Sequence, residues 1–276
     1  MKTFYFVIIS SIFIVSCSNN NNQAIVETAD TTTTEVDSTN KFIAFTNEMT
    51  ISNIPFPFEL LDKIYSSKVT FSQNAMNATG NISKYNQFDS KALNLGIYGA
   101  DLAYAVTYEK FQLIGNYVKN TKKLAEELDI PIAFNQNMLD KYETYKSNKD
   151  SLAMIVYDSY SKVDEALKGN ERAGMASLVV LGSWLEGLFI TTKTFIDEPK
   201  NDSNKLVYTE IANQSKHLNT LITMLEEYKT EKNYTPIINE LVEMKKYFST
   251  EKFDESLVIE LHKKISKLRN SIIEGF

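Results

Sequence analysis

Two carboxylates stand in company where carboxylates are scarce. Asp101 lies within Leu93-Asn94-Leu95-Gly96-Ile97-Tyr98-Gly99-Ala100-Asp101-Leu102-Ala103-Tyr104-Ala105-Val106, and Glu186 within Leu181-Gly182-Ser183-Trp184-Leu185-Glu186-Gly187-Leu188-Phe189-Ile190; neither run holds another charge. A carboxyl taken out of water must be ion-paired, hydrogen-bonded or protonated. Two on neighbouring helices could work as general acid and general base, given a cleft and a suitable separation. Tyr98, Tyr104 and Trp184, the only tryptophan, would wall such a pocket. The plainer reading is that both acids are core groups satisfied by tyrosine hydroxyls, Lys or Arg. The sequence favours the plainer one.

The same runs are rich in small residues. A glycine inside a helix costs about 1 kcal/mol against alanine, so Gly96, Gly99, Ala103 and Gly182 are expected where another helix backbone comes close.

Other chemistry is hard to find. His217 and His262 sit in neither HExxH nor ExxH, and both are expected on the outer faces of amphipathic helices. The chain has no GxSxG elbow, no GxxxxGK[ST] loop and no GxGxxG turn. No metal and no cofactor is expected. The net charge of −6 comes without a basic stripe, which argues against nucleic acid as a partner.

The one cysteine, Cys17, closes Ile14-Val15-Ser16-Cys17. Before it come Lys2 and an uncharged, mostly apolar stretch from Phe4 to Val15, which is too short to span a bilayer but suits the core of a signal peptide. The motif resembles the lipobox of bacterial lipoproteins, in which a small residue precedes the thiol that receives diacylglycerol and becomes the new N-terminus. That resemblance implies a signal peptide over 1–16 and a membrane anchor through lipid on Cys17. Two or three acyl chains at about 0.8 kcal/mol per buried CH₂ hold stably. An ordinary secretory signal with a chance cysteine is the alternative. With Cys17 lipidated there is neither a disulfide nor a catalytic thiol.

Residues 17–40 continue as a polar tether with no aromatic residue, too poor in apolar side chains to fold. Asp30-Thr31-Thr32 and Asp37-Ser38-Thr39 are similar to the short O-glycosylation sequon of Bacteroidota, a plain linker being the other reading. Ser18 disfavours inner-membrane retention, and Ser18 to Gln23 contains no acid that would direct surface display. The expected location is the periplasmic face of the outer membrane, ahead of the inner membrane or the cell surface.

The elements that must place Asp101 and Glu186 are helices. Hydrophobic residues are 43% of the chain, with only 9 glycines and 5 prolines in 276 residues, so long helices are favoured over a many-turned β fold. A helical domain is expected over 41–276. A helix should begin near Pro57, and 58–86 reads as one or two helices ending near Gly80. Asp89 and Ser90 should cap a long helix to about Asn120, followed by helix to about 128 before Pro131. Helices are further expected at 135–147, from Asp150 to Leu167, at 171–196 behind Asn170, at 204–230, and from Thr235-Pro236, with a last helix capped by Asp254. Asp197 to Ser203, containing Pro199, reads as a loop. Ile237, Leu241, Met244 and Phe248 form one apolar stripe; Leu257, Leu261, Ile265, Leu268 and Ile272 form another. The fold class is all-α, a multi-helix bundle.

Leu95-Gly96-Ile97-Tyr98 resembles Leu181-Gly182-Ser183-Trp184 at an offset of 86 residues, and Met138-Leu139-Asp140-Lys141-Tyr142 resembles Met224-Leu225-Glu226-Glu227-Tyr228 at the same offset. Either these are chance or the body is two pseudo-symmetric helical halves.

The runs LNLGIYGADLAYA, GSWLEGLFITT and IPFPFELL together resemble a group of uncharacterised all-helical lipoproteins of Bacteroidota, over most of 50–270. The resemblance implies an envelope location and a helical fold, and brings no activity or catalytic residue with it. The expected function is therefore a non-enzymatic lipoprotein that binds a protein partner or a small ligand. An enzyme built on Asp101 and Glu186, and a structural spacer or assembly factor, are the alternatives.

Overall fold

The computed structural model describes residues 57–130, 135–169, 172–197, 204–231, 233–248 and 254–275. They form the helices α1 (Phe58–Ser66), α2 (Phe88–Thr107), α3 (Phe111–Glu127), α4 (Gln136–Tyr145), α5 (Lys149–Gly169), α6 (Ala173–Asp197), α7 (Lys205–Glu226), α8 (Tyr234–Phe248) and α9 (Glu255–Glu274), with two short 3-10 turns between α1 and α2. No strand occurs among the described residues, and the all-α bundle stands. The signal peptide, Cys17, the tether, both sequon-like triplets, Pro55, Pro131 and Pro199 lie outside the described residues.

Local chemistry explains several helix ends. Pro57 precedes α1. Asn135 accepts the Met138 N–H at 3.1 Å, and Asp254 accepts that of Leu257 at 3.2 Å. Asn148, not Asp150, caps α5, accepting the Ser151 N–H at 2.8 Å. Thr235 and Pro236 fall inside the first turn of α8 rather than before it, and Asp89 and Ser90 likewise fall inside the first turn of α2, which starts at Phe88 behind Gln87. Gly275, at φ 92°, closes α9 in the left-handed conformation that glycine tolerates best. Arg172 donates to the carbonyls of Leu128 at 2.7 Å and Asp129 at 3.3 Å, tying the end of α3 to the start of α6.

Two expected stretches of helix also fail. Residues 58–86 are not helical throughout: α1 stops at Ser66, Lys68 turns left-handed at φ 58°, and 67–87 is a strap of turns. Its Ser, Asn, Thr and Gly residues compete for backbone hydrogen bonds and disfavour helix. The long helix to Asn120 is broken at 108–110, where Glu109 takes φ 55°. Neither Gly nor Pro marks that break.

α2 and α6 are the central pair. Every residue from Ala92 to Thr107 and from Leu181 to Thr192 is buried, so neither helix shows a one-sided stripe. They meet through glycines. A methyl group on Gly96 would strike the carbonyl oxygen of Val179 and the amide nitrogen of Ser183; one on Gly182 would strike the carbonyl oxygen of Leu93. The contact is reciprocal: adding 86 to 96 and 93 gives 182 and 179, the other half of the same contact. Gly99 instead makes room for the Tyr160 ring, whose hydroxyl donates to the Leu95 carbonyl at 2.7 Å. Ala103 is buried in the same core.

The exchange extends beyond this seam. Swapping α2 with α6, α3 with α7, α4 with α8 and α5 with α9 turns most of one set of helix contacts into the other, the packing of α7 on α8 being the exception, without an equal between α3 and α4. α2 packs on α3 and α5, as α6 packs on α7 and α9; α4 packs on α5, as α8 on α9; α5 touches α6, as α9 touches α2. The body therefore reads as two four-helix halves sharing the α2–α6 seam, with α1 and the strap packed on helices of both. The second sequence likeness does not belong to this relation. Met138–Tyr142 lies on α4, whereas Met224–Tyr228 spans the end of α7, because loops of unequal length destroy a constant offset beyond the central pair.

Candidate functional site

The strap crosses the bundle with its backbone held by side chains from the helices. The hydroxyls of Tyr108, Tyr117 and Tyr98 donate to the carbonyls of Val69 at 3.0 Å, Asn77 at 2.9 Å and Ala78 at 3.1 Å. Asn120 donates to the Thr79 carbonyl at 2.8 Å, and the Ser72 N–H donates to the Tyr104 hydroxyl at 2.9 Å. Asn77 is the hub, being 1% exposed. Its N–H donates to Asp101 Oδ2 at 3.0 Å, its Nδ2 to the Tyr85 hydroxyl at 2.9 Å, and its Oδ1 accepts from Asn81 at 2.8 Å. Irregular backbone that is buried needs such partners, since no helix ladder supplies them.

Beneath Asn77 lie the acids. Glu186 on α6 is gripped by Arg269 on α9 through two parallel bonds, Nε to Oε2 at 2.5 Å and Nη2 to Oε1 at 2.6 Å. The guanidinium lies over the Phe189 ring, 3.9 Å from Cζ to the centroid, and Nη2 reaches the Ala75 carbonyl at 3.4 Å. Asp101 and Glu186 are fully buried and Arg269 is 7% exposed. The Asp101 carboxyl lies beside that of Glu186, close enough for its charge to act on it. Burial, followed by the Glu186 charge, holds Asp101 well above the usual carboxylate range, while Arg269 and the Asn77 N–H pull it down. Burial likewise raises the hydroxyls of Tyr98, Tyr117 and Tyr160, and pushes Tyr85 up to about 12.

No protein family, curated protein or solved structure matches the chain.

The chemistry open to the cluster follows from its geometry. Two acids in contact resemble a dyad that shares a proton, but here one of them is forked to a guanidinium and both are sealed from water. Of the five residues the sequence singles out, the structure brings Asp101, Glu186 and Tyr98 into one cluster. Tyr104 is turned to the strap and stacks on Phe71, with centroids 4.9 Å apart, and Trp184 donates to Gln214 on α7 at 3.0 Å. Both acids are buried in the core and sit together rather than apart: Glu186 is paired with Arg269, whereas Asp101 takes only the Asn77 N–H on one oxygen.

Arg269, Asn77 and Tyr117 escaped the sequence reading. A signal for Arg269 was available: the chain carries only two arginines among 29 basic residues. Both do what the compact ammonium of lysine cannot, presenting a planar fork to a carboxylate or to paired carbonyls. Nothing in the local pattern marks Asn77, whose role exists only once the strap is laid across α2 and α3.

His262 is not on an outer face. Both histidines are half-buried. His262 stacks on Phe189 with centroids 5.0 Å apart, its Nδ1 2.9 Å from Thr192 Oγ1 and its Nε2 3.2 Å from Ser266 Oγ. Burial lowers it to about 4, so it is a neutral packing group. Among the described residues no three His, Cys, Asp or Glu side chains gather as a metal site.

Proposed function

We propose that this chain is an envelope lipoprotein, anchored by lipid on Cys17, whose helical body binds a protein partner or a small ligand and carries out no chemistry. The observation that carries the anchoring is that the only cysteine of 276 residues stands at the one place a lipobox needs it. The binding reading is supported by the state of the buried polar groups: Asp101, Tyr98 and Tyr104 hold the chain's own strap, and Glu186 is taken by Arg269. The periplasmic face of the outer membrane is the proposed location. α6 is long and apolar enough to cross a bilayer, but most of it is covered by the other helices, and it is read as the core helix of a body that stands in water.

The test is expression in a bacterial host with an alkyne-tagged fatty acid. Wild type should take up the label, lose its first sixteen residues and sediment with membranes, whereas Cys17→Ala should do none of these. An unlabelled wild-type chain that keeps Met1 would end the proposal. The enzymatic alternative draws on the contact between Asp101 and Glu186, and needs the strap to open and admit a substrate. Native mass spectrometry of the purified protein separates the readings: a noncovalent ligand retained unchanged supports binding, and a bound molecule converted by wild type but not by Glu186→Gln supports the enzyme.

A further inference from the structure

Three ionisable groups meet beneath the strap: two acids and one base, all buried. With both acids ionised the site would bury a net negative charge, which is costly where nothing offsets it. Glu186 is committed to Arg269 through both of its oxygens. Asp101 is committed through one: Oδ2 takes the Asn77 N–H, while no hydrogen-bond donor reaches the buried Oδ1. An orphaned buried oxygen is costly as an acceptor, whereas a hydroxyl there would have the neighbouring Glu186 carboxylate to donate to.

We propose that Asp101 is kept as the neutral acid, with its proton on Oδ1 and donated to the Glu186 carboxylate, and that this trapped proton latches the strap shut. The groups facing Asp101 are Tyr85 from the strap, Tyr98 from α2, Tyr117 from α3, Tyr160 from α5, Glu186 from α6 and Arg269 from α9. The four tyrosines are held neutral by burial, so the charges Asp101 meets are one carboxylate and one guanidinium. Ionising Asp101 sets two carboxylates against one cation. Relief comes from water, and water reaches the pair when the strap over it, fastened at Ala75 and Asn77, lifts. The closed strap thus binds a proton that the open strap releases, and raising the pH favours opening. This holds whether or not Cys17 carries lipid.

The test is hydrogen exchange of residues 72–84 in the detergent-solubilised full chain over a pH series, corrected for the intrinsic rate. In wild type, protection of the Asn77 amide should fall about tenfold per pH unit, the slope of a single linked proton, from the ordinary aspartate range, where the open strap loses the proton, up to the higher point at which Asp101 ionises beneath the closed strap, and level off above it. In Asp101→Asn, whose amide can donate to Glu186 and accept from Asn77, protection should not change with pH. A wild-type profile without slope, or the same slope in Asp101→Asn, overturns the latch. If Asp101→Asn does not fold, the ¹³C carboxyl shift of Asp101 in wild type decides: it should stay that of the neutral acid through the range where ordinary aspartates ionise. Titration within that range overturns the proposal.

Discussion

At the scale of the residue, the Glu186–Arg269 pair is what burial makes indispensable. Breaking a buried pair from one side leaves an uncompensated charge and costs about 3–5 kcal/mol. Arg269→Met, which keeps much of the volume, should lower the unfolding free energy by about that amount at neutral pH, as read by urea denaturation. A loss of under about 1 kcal/mol would mean that the pair is no tighter than a surface one. His262 adds a pH dependence of its own. Its folded-state value of about 4 lies below the 6.5 of the unfolded chain, so between the two the unfolded chain binds more protons. Stability should therefore be full above pH 6.5, fall as the pH drops toward 4 and level off below. Denaturant midpoints of wild type and His262→Gln across that window should differ in slope, and parallel curves would show that the ring is solvated. Asp101 acts in the opposite sense. With its folded value raised, it contributes stability below the unfolded value of 3.8 that is lost as the pH rises. Only the comparison with the variant isolates His262.

At the scale of the element, the α2–α6 seam is decided by two hydrogen atoms. Gly96 and Gly182 each face a backbone carbonyl that cannot give way as a flexible side chain would. Gly96→Ala and Gly182→Ala gain helix propensity of about 1 kcal/mol each, yet they force two backbones apart in a close-packed core, at a cost of about 3 kcal/mol or more. Both variants should be destabilised to similar extents, because the contact is reciprocal. A rise in melting temperature in either would show that the helices do not approach so closely. The sequence flagged these two glycines correctly, since nothing cheaper than close contact accounts for glycine in a buried helix interior. It missed the break at 108–110 because Tyr108, Glu109 and Lys110 are ordinary helix residues. The left-handed turn there is enforced by packing, with the Tyr108 hydroxyl on the Val69 carbonyl and its ring against Phe71 and Tyr104.

At the scale of the whole molecule, the two four-helix halves are not two domains. α2 is buried on every side, and α6 supplies one of those sides. A half expressed alone would expose the glycine face of its central helix and lose α9, which carries Arg269. The segment ending at Gly169 should therefore remain without a cooperative thermal transition by circular dichroism, while the full chain melts in one step. A cooperative melt of the isolated half would show that each half builds a core of its own.

The sequence by itself determined the helical class, because scarce breakers and 3.6-residue stripes leave few other ways to bury the apolar residues. It also located the start at Pro57 and the Asp254 cap, and it marked Asp101 and Glu186 as acids out of place, since charge in an apolar run needs a partner wherever the chain goes. Who that partner is was a tertiary decision. Arg269 lies 83 residues from Glu186, and Asn77 lies 24 from Asp101. A hydrogen bond between elements depends on how helices cross, and crossing is set by the summed packing of the core rather than by any local run of residues.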